Sequence, residues 1–243
     1  MTERQYNWRP GRVLVGNWYE DLVLQDEKLR AFLERKERGG LTIQKIRQNL
    51  ASIRVTPQPA GTGVKYGEPL FIQNVGTSLY LSCDPFDPEN IEEQLYTATA
   101  TAEREPTSRN VWIVQNAQGP FEGLVKFGDI VTLQTTGPNP FYLGSQAKDW
   151  KHESRISRKT MIYSSQKEHV FNNWIVLPLG KFALDDWEGE DVQFGDKFML
   201  HHVSTNLPLC VSNCEIVNDY GKERELIGEK IATYQIVWTF PSE

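Results

Sequence analysis

Tyr66-Gly67-Glu68-Pro69-Leu70-Phe71-Ile72 is the stretch from which the fold is read, because its pattern returns twice. Phe127-Gly128-Asp129 runs into Ile130-Val131-Thr132-Leu133, and Phe194-Gly195-Asp196 runs into Phe198-Met199-Leu200. An aromatic, a glycine and a carboxylate ahead of an apolar, β-branched run read as a turn feeding a strand. A second apolar strand follows each time, at Leu79-Tyr80-Leu81, Phe141-Tyr142-Leu143 and Leu207-Pro208-Leu209, and each unit closes on a tryptophan, Trp112, Trp174 or Trp238. Gly67, Gly128 and Gly195 precede those tryptophans by 45, 46 and 43 residues. A chance run of ordinary Gly-Asp turns would not hold that register. The spacing predicts three units sharing one core, each too small to bury its own apolar face. The expected fold class is mainly β, a β-trefoil-like body of three repeats with an N-terminal helical arm.

The expected domains are an arm at residues 1–62 and the three-unit body at 63–243. Residues 1–60 hold eleven Lys/Arg against seven Asp/Glu, a net +4, which leaves −10 for the rest of a chain whose net charge is −6. A basic extension on an acidic body suits an acidic partner surface. Tyr6, Trp8 and Trp18 pack either on the body or on a partner. Arg12-Val13-Leu14-Val15 begins as a short strand. A helix follows, acidic at Glu20, Asp21, Asp26 and Glu27, basic at Arg35, Lys36 and Arg38, and stopped by Gly39-Gly40. A second helix or half-helix is expected from Thr42, with Ile43, Ile46, Leu50 and Ile53 at helical spacing. Pro57, Pro59, Gly61 and Gly63 form the linker.

Insertions before the tryptophans distinguish the units. In the first, Asp87-Pro88 before Glu89-Asn90-Ile91-Glu92-Glu93-Gln94-Leu95 predicts a short capped helix. The second carries a basic loop, Lys148, Lys151, His152, Arg155, Arg158 and Lys159, around an exposed Trp150. In the third, Tyr220-Gly221-Lys222-Glu223 begins a charged turn.

Several function classes lose support at this stage. No phosphate loop, zinc-protease pair or nucleophile elbow is present, and four histidines single out no triad, so no enzyme and no cofactor are expected. The carboxylates at Asp185-Asp186 and Glu188-Gly189-Glu190-Asp191 read as a solvated acidic loop, since the alternating ligands of a calcium loop are missing. Cys83, Cys210 and Cys214 are expected as free thiols, and adjacent His201 and His202 point to opposite faces of a strand. A pI near 5.4 argues against nucleic acid as a partner. The start Met1-Thr2-Glu3-Arg4-Gln5 lacks the apolar stretch of a secretory leader, and no run nears the ~20 apolar residues of a membrane span. Synthesis in the cytosol with no secretion is the expectation, and no membrane partner is expected. A carbohydrate- or protein-binding trefoil module in the cytosol remains the competing reading, although the recurring tryptophans sit in apolar strands as core residues do.

Arg12-Val13-Leu14-Val15-Gly16-Asn17-Trp18-Tyr19-Glu20-Asp21, Phe32-Leu33-Glu34-Arg35-Lys36-Glu37-Arg38-Gly39-Gly40-Leu41, Tyr66-Gly67, Asn173-Trp174 and Tyr220-Gly221-Lys222-Glu223 resemble the cilia- and flagella-associated protein 161 family. The Gly-Asn-Trp-x-Glu-Asp segment is the most specific element. The resemblance implies a non-enzymatic microtubule inner protein on the luminal wall of the A-tubule in axonemal doublets. Its implied partners are the α/β-tubulin lattice and other inner proteins. On that basis the expected contact residues are Arg4, Tyr6, Trp8, Arg9, Arg12 and Trp18 in the arm, with Lys148, Trp150, Lys151, Arg155, Arg158 and Lys159 in the body.

Overall fold

A computed structural model describes residues 18–119, 122–137, 139–180, 187–230 and 233–243. The chain is mainly β with helix toward the N-terminus, and it divides into two compact units, 1–45 and 46–243.

In the first unit, helix α1 spans Trp18–Glu37 with acidic residues in its first turn and basic ones in its last, which favours the helix dipole at both ends. Arg30 pairs with Asp26 at 3.0 Å, one turn apart. Gly39, at φ +70°, lets the chain leave the helix, and the Gly40 amide donates to the Arg35 carbonyl. Helix α2, Thr42–Asn49, starts where the periodicity places it but stops short of Ile53. Past it the chain is bound backbone to backbone within the larger unit: Ser52 bridges Thr107, the Ile53 amide donates to Pro106, and the Gly61 amide donates to Phe194. Residues 46–62 therefore carry ladder-like bonds with residues of the body.

Among the described residues thirteen strands follow: β1 Pro69–Leu70, β2 Gln73–Asn74, β3 Tyr80–Asn90, β4 Leu95–Thr101, β5 Trp112–Asn116, β6 Ile130–Thr135, β7 Tyr142–Ser145, β8 Thr160–Ser165, β9 Asn173–Pro178, β10 Lys197–His202, β11 Leu209–Asn218, β12 Gly221–Gly228 and β13 Trp238–Thr239. They join one antiparallel sheet. Its path runs β6-β7-β8-β12-β4-β3-β2-β13-β10-β9, and β9 pairs again with β6, which closes a ring of ten strands. Closure removes the open edges that a sheet of this size would otherwise expose.

The residues singled out in the sequence hold this ring together at matched positions. Trp112, Trp174 and Trp238 are fully buried, and each indole N–H donates at 2.9 Å to the carbonyl of a leucine in the preceding hairpin, Leu81, Leu143 or Leu209. A buried indole nitrogen needs such a partner, so the bond fixes ring and hairpin together. The turn glycines lie at φ +80°, +90° and +93°, a region closed to most side chains. Their amides donate to Val114, Val176 and Phe240, each two residues past a tryptophan. Ahead of the turns the chain meets itself in a cycle. The Val64 amide donates to Val192, Val192 to Val125, and Val125 to Val64, all at 2.8 Å and all buried. One continuous apolar core fills the interior.

The short helix expected after Pro88 does not form. β3 continues to Asn90 and β4 resumes at Leu95, with register shifts at Asp84/Pro88 and Pro88/Asn90. Proline has no amide to give a ladder, so the strand bulges around it instead of winding into helix. The Thr97 hydroxyl donates to Asp87 across the hairpin at 2.7 Å, with Glu89 3.1 Å away.

Candidate interaction surface

Arg4, Tyr6, Trp8, Arg9 and Arg12, like the expected strand at 12–15, lie outside the described residues. Trp18 opens α1 with its backbone, and its side chain is outside the description. The expected contact residues that the structure places are those of the loop between β7 and β8.

That loop is a built element. The buried carboxylate of Glu225, on β12, accepts the Ile156 amide at 2.9 Å and the Ser157 amide at 3.0 Å. Ser154 Oγ takes the Lys159 amide, and the Asp149 carboxylate takes the amides of Lys151 and His152 at 2.8 Å each. With these five backbone amides held, the loop has a defined path.

Its basic side chains are mostly spent on this chain's own acids. Arg155 forks onto Asp87 and reaches Glu89 at 2.7 Å, Lys151 meets Glu92 at 3.2 Å, and the two nitrogens of His152 face Glu93 at 2.9 Å and Asp149 at 2.8 Å. Lys148 approaches Glu153, and Lys159 pairs with Glu229. Arg158 stands at φ +58° and makes no ion pair among the described residues. Although partial burial opposes it, the two carboxylates hold the Arg155 guanidinium above its ordinary range. Burial raises the Glu89 carboxyl above its ordinary range even with Arg155 beside it. Asp87, Glu89, Glu92 and Glu93 were not among the expected contact residues. They lie about 60 residues from the loop in sequence, and no local periodicity links the two. Trp150 is left standing out, 82% exposed, with the Lys151 ammonium 5.1 Å from its ring centre.

A second polar group joins the hairpins β3–β4 and β11–β12. Arg109 and Glu223, both buried, are joined by two parallel bonds, and Thr99 and Asn218 also donate to the carboxylate. The Tyr220 ring caps the guanidinium at 3.6 Å. Asn49, the last residue of α2, gives its amide to Asp84 and to the Tyr220 hydroxyl. This group ties residue 49 to the hairpins by bonding. All three cysteines are free, Cys83 and Cys210 buried. Burial holds both of those thiols up at about 12, so they stay protonated. No set of three or more His, Cys, Asp or Glu is arranged to hold a metal ion among the described residues. No helix there is long and apolar enough to cross a membrane.

Comparison with known proteins adds relatives to this geometry. The chain is 27% identical to cilia- and flagella-associated protein 161 of Danio rerio over 92% of this chain and 81% of that protein. It is 24% identical to the Bos taurus protein of the same name, over 88% and 74% of the two chains, and 26% identical to that of Mus musculus, over 93% and 82%. No family model matches. Among solved structures, the SDF2-like protein from Arabidopsis thaliana superposes with TM-score 0.59 at 19% identity, over 73% of this chain and 94% of that one. A Caenorhabditis elegans protein of unknown function gives 0.60 at 16%, over 75% and 97%. The S. cerevisiae protein O-mannosyltransferase Pmt1-Pmt2 complex bound to the sugar donor gives 0.57 at 16%, over 80% of this chain and 27% of that one. At these identities the likeness is one of fold.

Proposed function

Because the chain belongs to the cilia- and flagella-associated protein 161 family, we propose that it is a structural microtubule inner protein, bound to the luminal wall of the A-tubule in ciliary doublets. The observation that carries this reading is the extent of the likeness: it runs through 88–93% of the chain and 74–82% of each relative, so arm and body are compared together. Association with cilia or flagella comes from the family itself, and the luminal site is the finer step.

The ring, its three matched tryptophan bonds and the cyclic valine bonds support reading the body as a β-trefoil. A body tied at three equivalent points suits a spacer that must keep its shape between fixed neighbours. The partners in this reading are the α/β-tubulin lattice and other inner proteins. Nucleic acid, membrane, cofactor and catalysis have no part in it. Many modest contacts in a repeating lattice add up through effective concentration, so no single deep pocket is required.

The test is a tagged protein expressed in a ciliated cell, followed through axoneme isolation and a high-salt wash. Proteins held on the outside by charge are released as salt screens them, whereas one enclosed in the lumen stays until the wall dissolves. Retention followed by release with the wall supports the reading. A protein found in the cytosol and absent from axonemes returns the chain to the cytosolic binding-module reading.

A further inference from the structure

Helix α1 carries a seam at the spacing of a coiled coil. Tyr19, Leu22, Asp26, Leu29, Leu33 and Lys36 follow one another at alternating steps of three and four residues, which keeps them on one stripe of the helix. Four of the six are apolar, and these four are between 43% and 75% exposed. Val23 and Phe32, also exposed, border the stripe on either side. Of the side chains described in α1, only Leu24 is partly buried. A helix of this length owes most of its stability to burying such a face, so the seam calls for a cover.

The order of residues along the seam selects that cover. Its members lie in pairs at equal distances from the helix midpoint, which falls between residues 27 and 28: Leu22 with Leu33, Asp26 with Leu29, and Tyr19 with Lys36. Laid antiparallel on a second copy of itself, the helix sets Leu22 against Leu33 near both ends and the Tyr19 ring against the Lys36 stem. Asp26 then faces Leu29, beside Arg30 of the second copy, and it already holds Arg30 of its own helix at 3.0 Å.

Charge agrees with this direction. The first half of α1 has four acidic residues, Glu20, Asp21, Asp26 and Glu27, and no basic one, whereas the second half has Lys28, Arg30, Arg35 and Lys36 against Glu34 and Glu37. Antiparallel pairing brings each acidic half beside a net basic one and opposes the two helix dipoles. Parallel pairing would set Asp26 on Asp26. An acidic protein surface is a poor cover too, because six acids outnumber four bases along the helix.

We infer that α1 is a self-association helix, through which two copies of this chain pair antiparallel along the seam from Tyr19 to Lys36. This goes beyond the proposed ciliary role, which does not fix how many copies act together. The seam is short and has a carboxylate in its middle, so the dimer is weak, dissociating at ~10–100 µM.

The experiment is sedimentation equilibrium of the purified 243-residue chain, followed to concentrations about ten times above that range. Leu22→Ala/Leu33→Ala removes both leucine layers and should weaken the dimer by roughly thirtyfold or more, while Asp26→Leu should tighten it about tenfold. Thermal unfolding of each variant shows that the β body is intact. Direction is read by crosslinking in a Cys214→Ser background, Cys83 and Cys210 being buried. A Leu22→Cys chain mixed with a Leu33→Cys chain should give the mixed disulfide when diamide is added as oxidant, and neither chain should link to itself. A wild type that is monomeric throughout overturns the inference and gives the seam to a different protein. A dimer that survives Leu22→Ala/Leu33→Ala overturns it as well, as do like-with-like crosslinks in place of the mixed one. Failure of the ciliary reading would leave every one of these results standing, since none is measured in a cilium.

Discussion

The guanidinium of Arg109 and the carboxylate of Glu223 meet in two parallel bonds of 3.0 Å, with both side chains almost shut off from water. Burial alone would push the Glu223 carboxyl up, but Arg109 reverses this, with Thr99 and Asn218 donating as well, and holds it below the ordinary carboxylate range. A depressed native value means that the pair's stabilisation is fully present above the unfolded carboxylate value and is lost as pH falls through the native one. Glu223→Gln should cost ~3–5 kcal/mol in urea unfolding at neutral pH, because the guanidinium stays buried without its charge partner. It should also flatten the acid limb of the stability curve. Arg109→Met/Glu223→Leu should recover much of the loss, remaining about 1–2 kcal/mol below wild type because Thr99 and Asn218 lose their acceptor. A single substitution that is neutral at pH 7 would remove the pair from the stability argument.

Trp112, Trp174 and Trp238 each give one indole bond of 2.9 Å to a leucine carbonyl. Replacing any of them with phenylalanine removes that bond and leaves a void, although the Leu143 carbonyl keeps the Asn172 amide at 3.4 Å. The combined cost should be ~2–4 kcal/mol at each site. The sharper expectation is equality: three matched environments should give losses within about 1 kcal/mol of one another. Denaturant midpoints of the three variants check this, and one harmless replacement would show that the three positions are not equivalent.

Much of this core was legible because its signals are local. Gly67, Gly128 and Gly195 mark turns by conformation, the tryptophans mark the core by size, and the charge gradient of α1 marks both helix ends within 20 residues. The stretch 87–94 misled because Asp-Pro followed by glutamates has helical composition, whereas the outcome was set by pairing with β4 and by the Asn90 turn. The loop at 148–159 was legible as basic and as bearing an exposed tryptophan. Its pairing was not, since Asp87, Glu89, Glu92 and Glu93 come from the β3–β4 hairpin and Glu229 from beyond β12. Asn49 gave no signal at all. Its role depends on Asp84 and Tyr220, the latter 171 residues away.

His202 should make stability depend on pH near neutrality. The side chain is buried against the edge of Trp174, 5.0 Å between ring centres, and its Nε2 donates to the Phe171 carbonyl at 2.9 Å. The Thr205 amide donates to Nδ1, so the neutral ring satisfies both neighbours. Burial holds its pKa below the ordinary 6.5, although the Phe171 bond opposes this. The unfolded chain then takes up the proton first as pH falls. Stability is fully present above the unfolded value and declines as pH drops through the window below it. His202→Asn should be less stable than wild type at pH 7 by ~1–3 kcal/mol but lose less on going to pH 5. Part of the slope should survive, because His201 is also held low by burial. Parallel pH curves for the two proteins would assign the dependence elsewhere.

Two glycines should separate space from conformation. Gly144, in β7, lies where an added Cβ would come 2.6 Å from the Asn172 amide nitrogen and 2.8 Å from the Phe171 carbonyl oxygen. That oxygen is backbone and is already the acceptor for His202, so it has little room to withdraw. Gly67 is the reverse case, with nothing within 4 Å of the added carbon and only its φ of +80° to object. Gly67→Ala should cost ~1–2 kcal/mol, the penalty of a left-handed residue. Gly144→Ala should cost ~3 kcal/mol or more through overpacking, and it should disturb the environments of Trp174 and His202 together. Fluorescence of the tryptophans and chemical unfolding of both variants measure this. If Gly144→Ala proved the milder change, the close approach of β7 to the segment 171–172 would have to be wider than the fold has it.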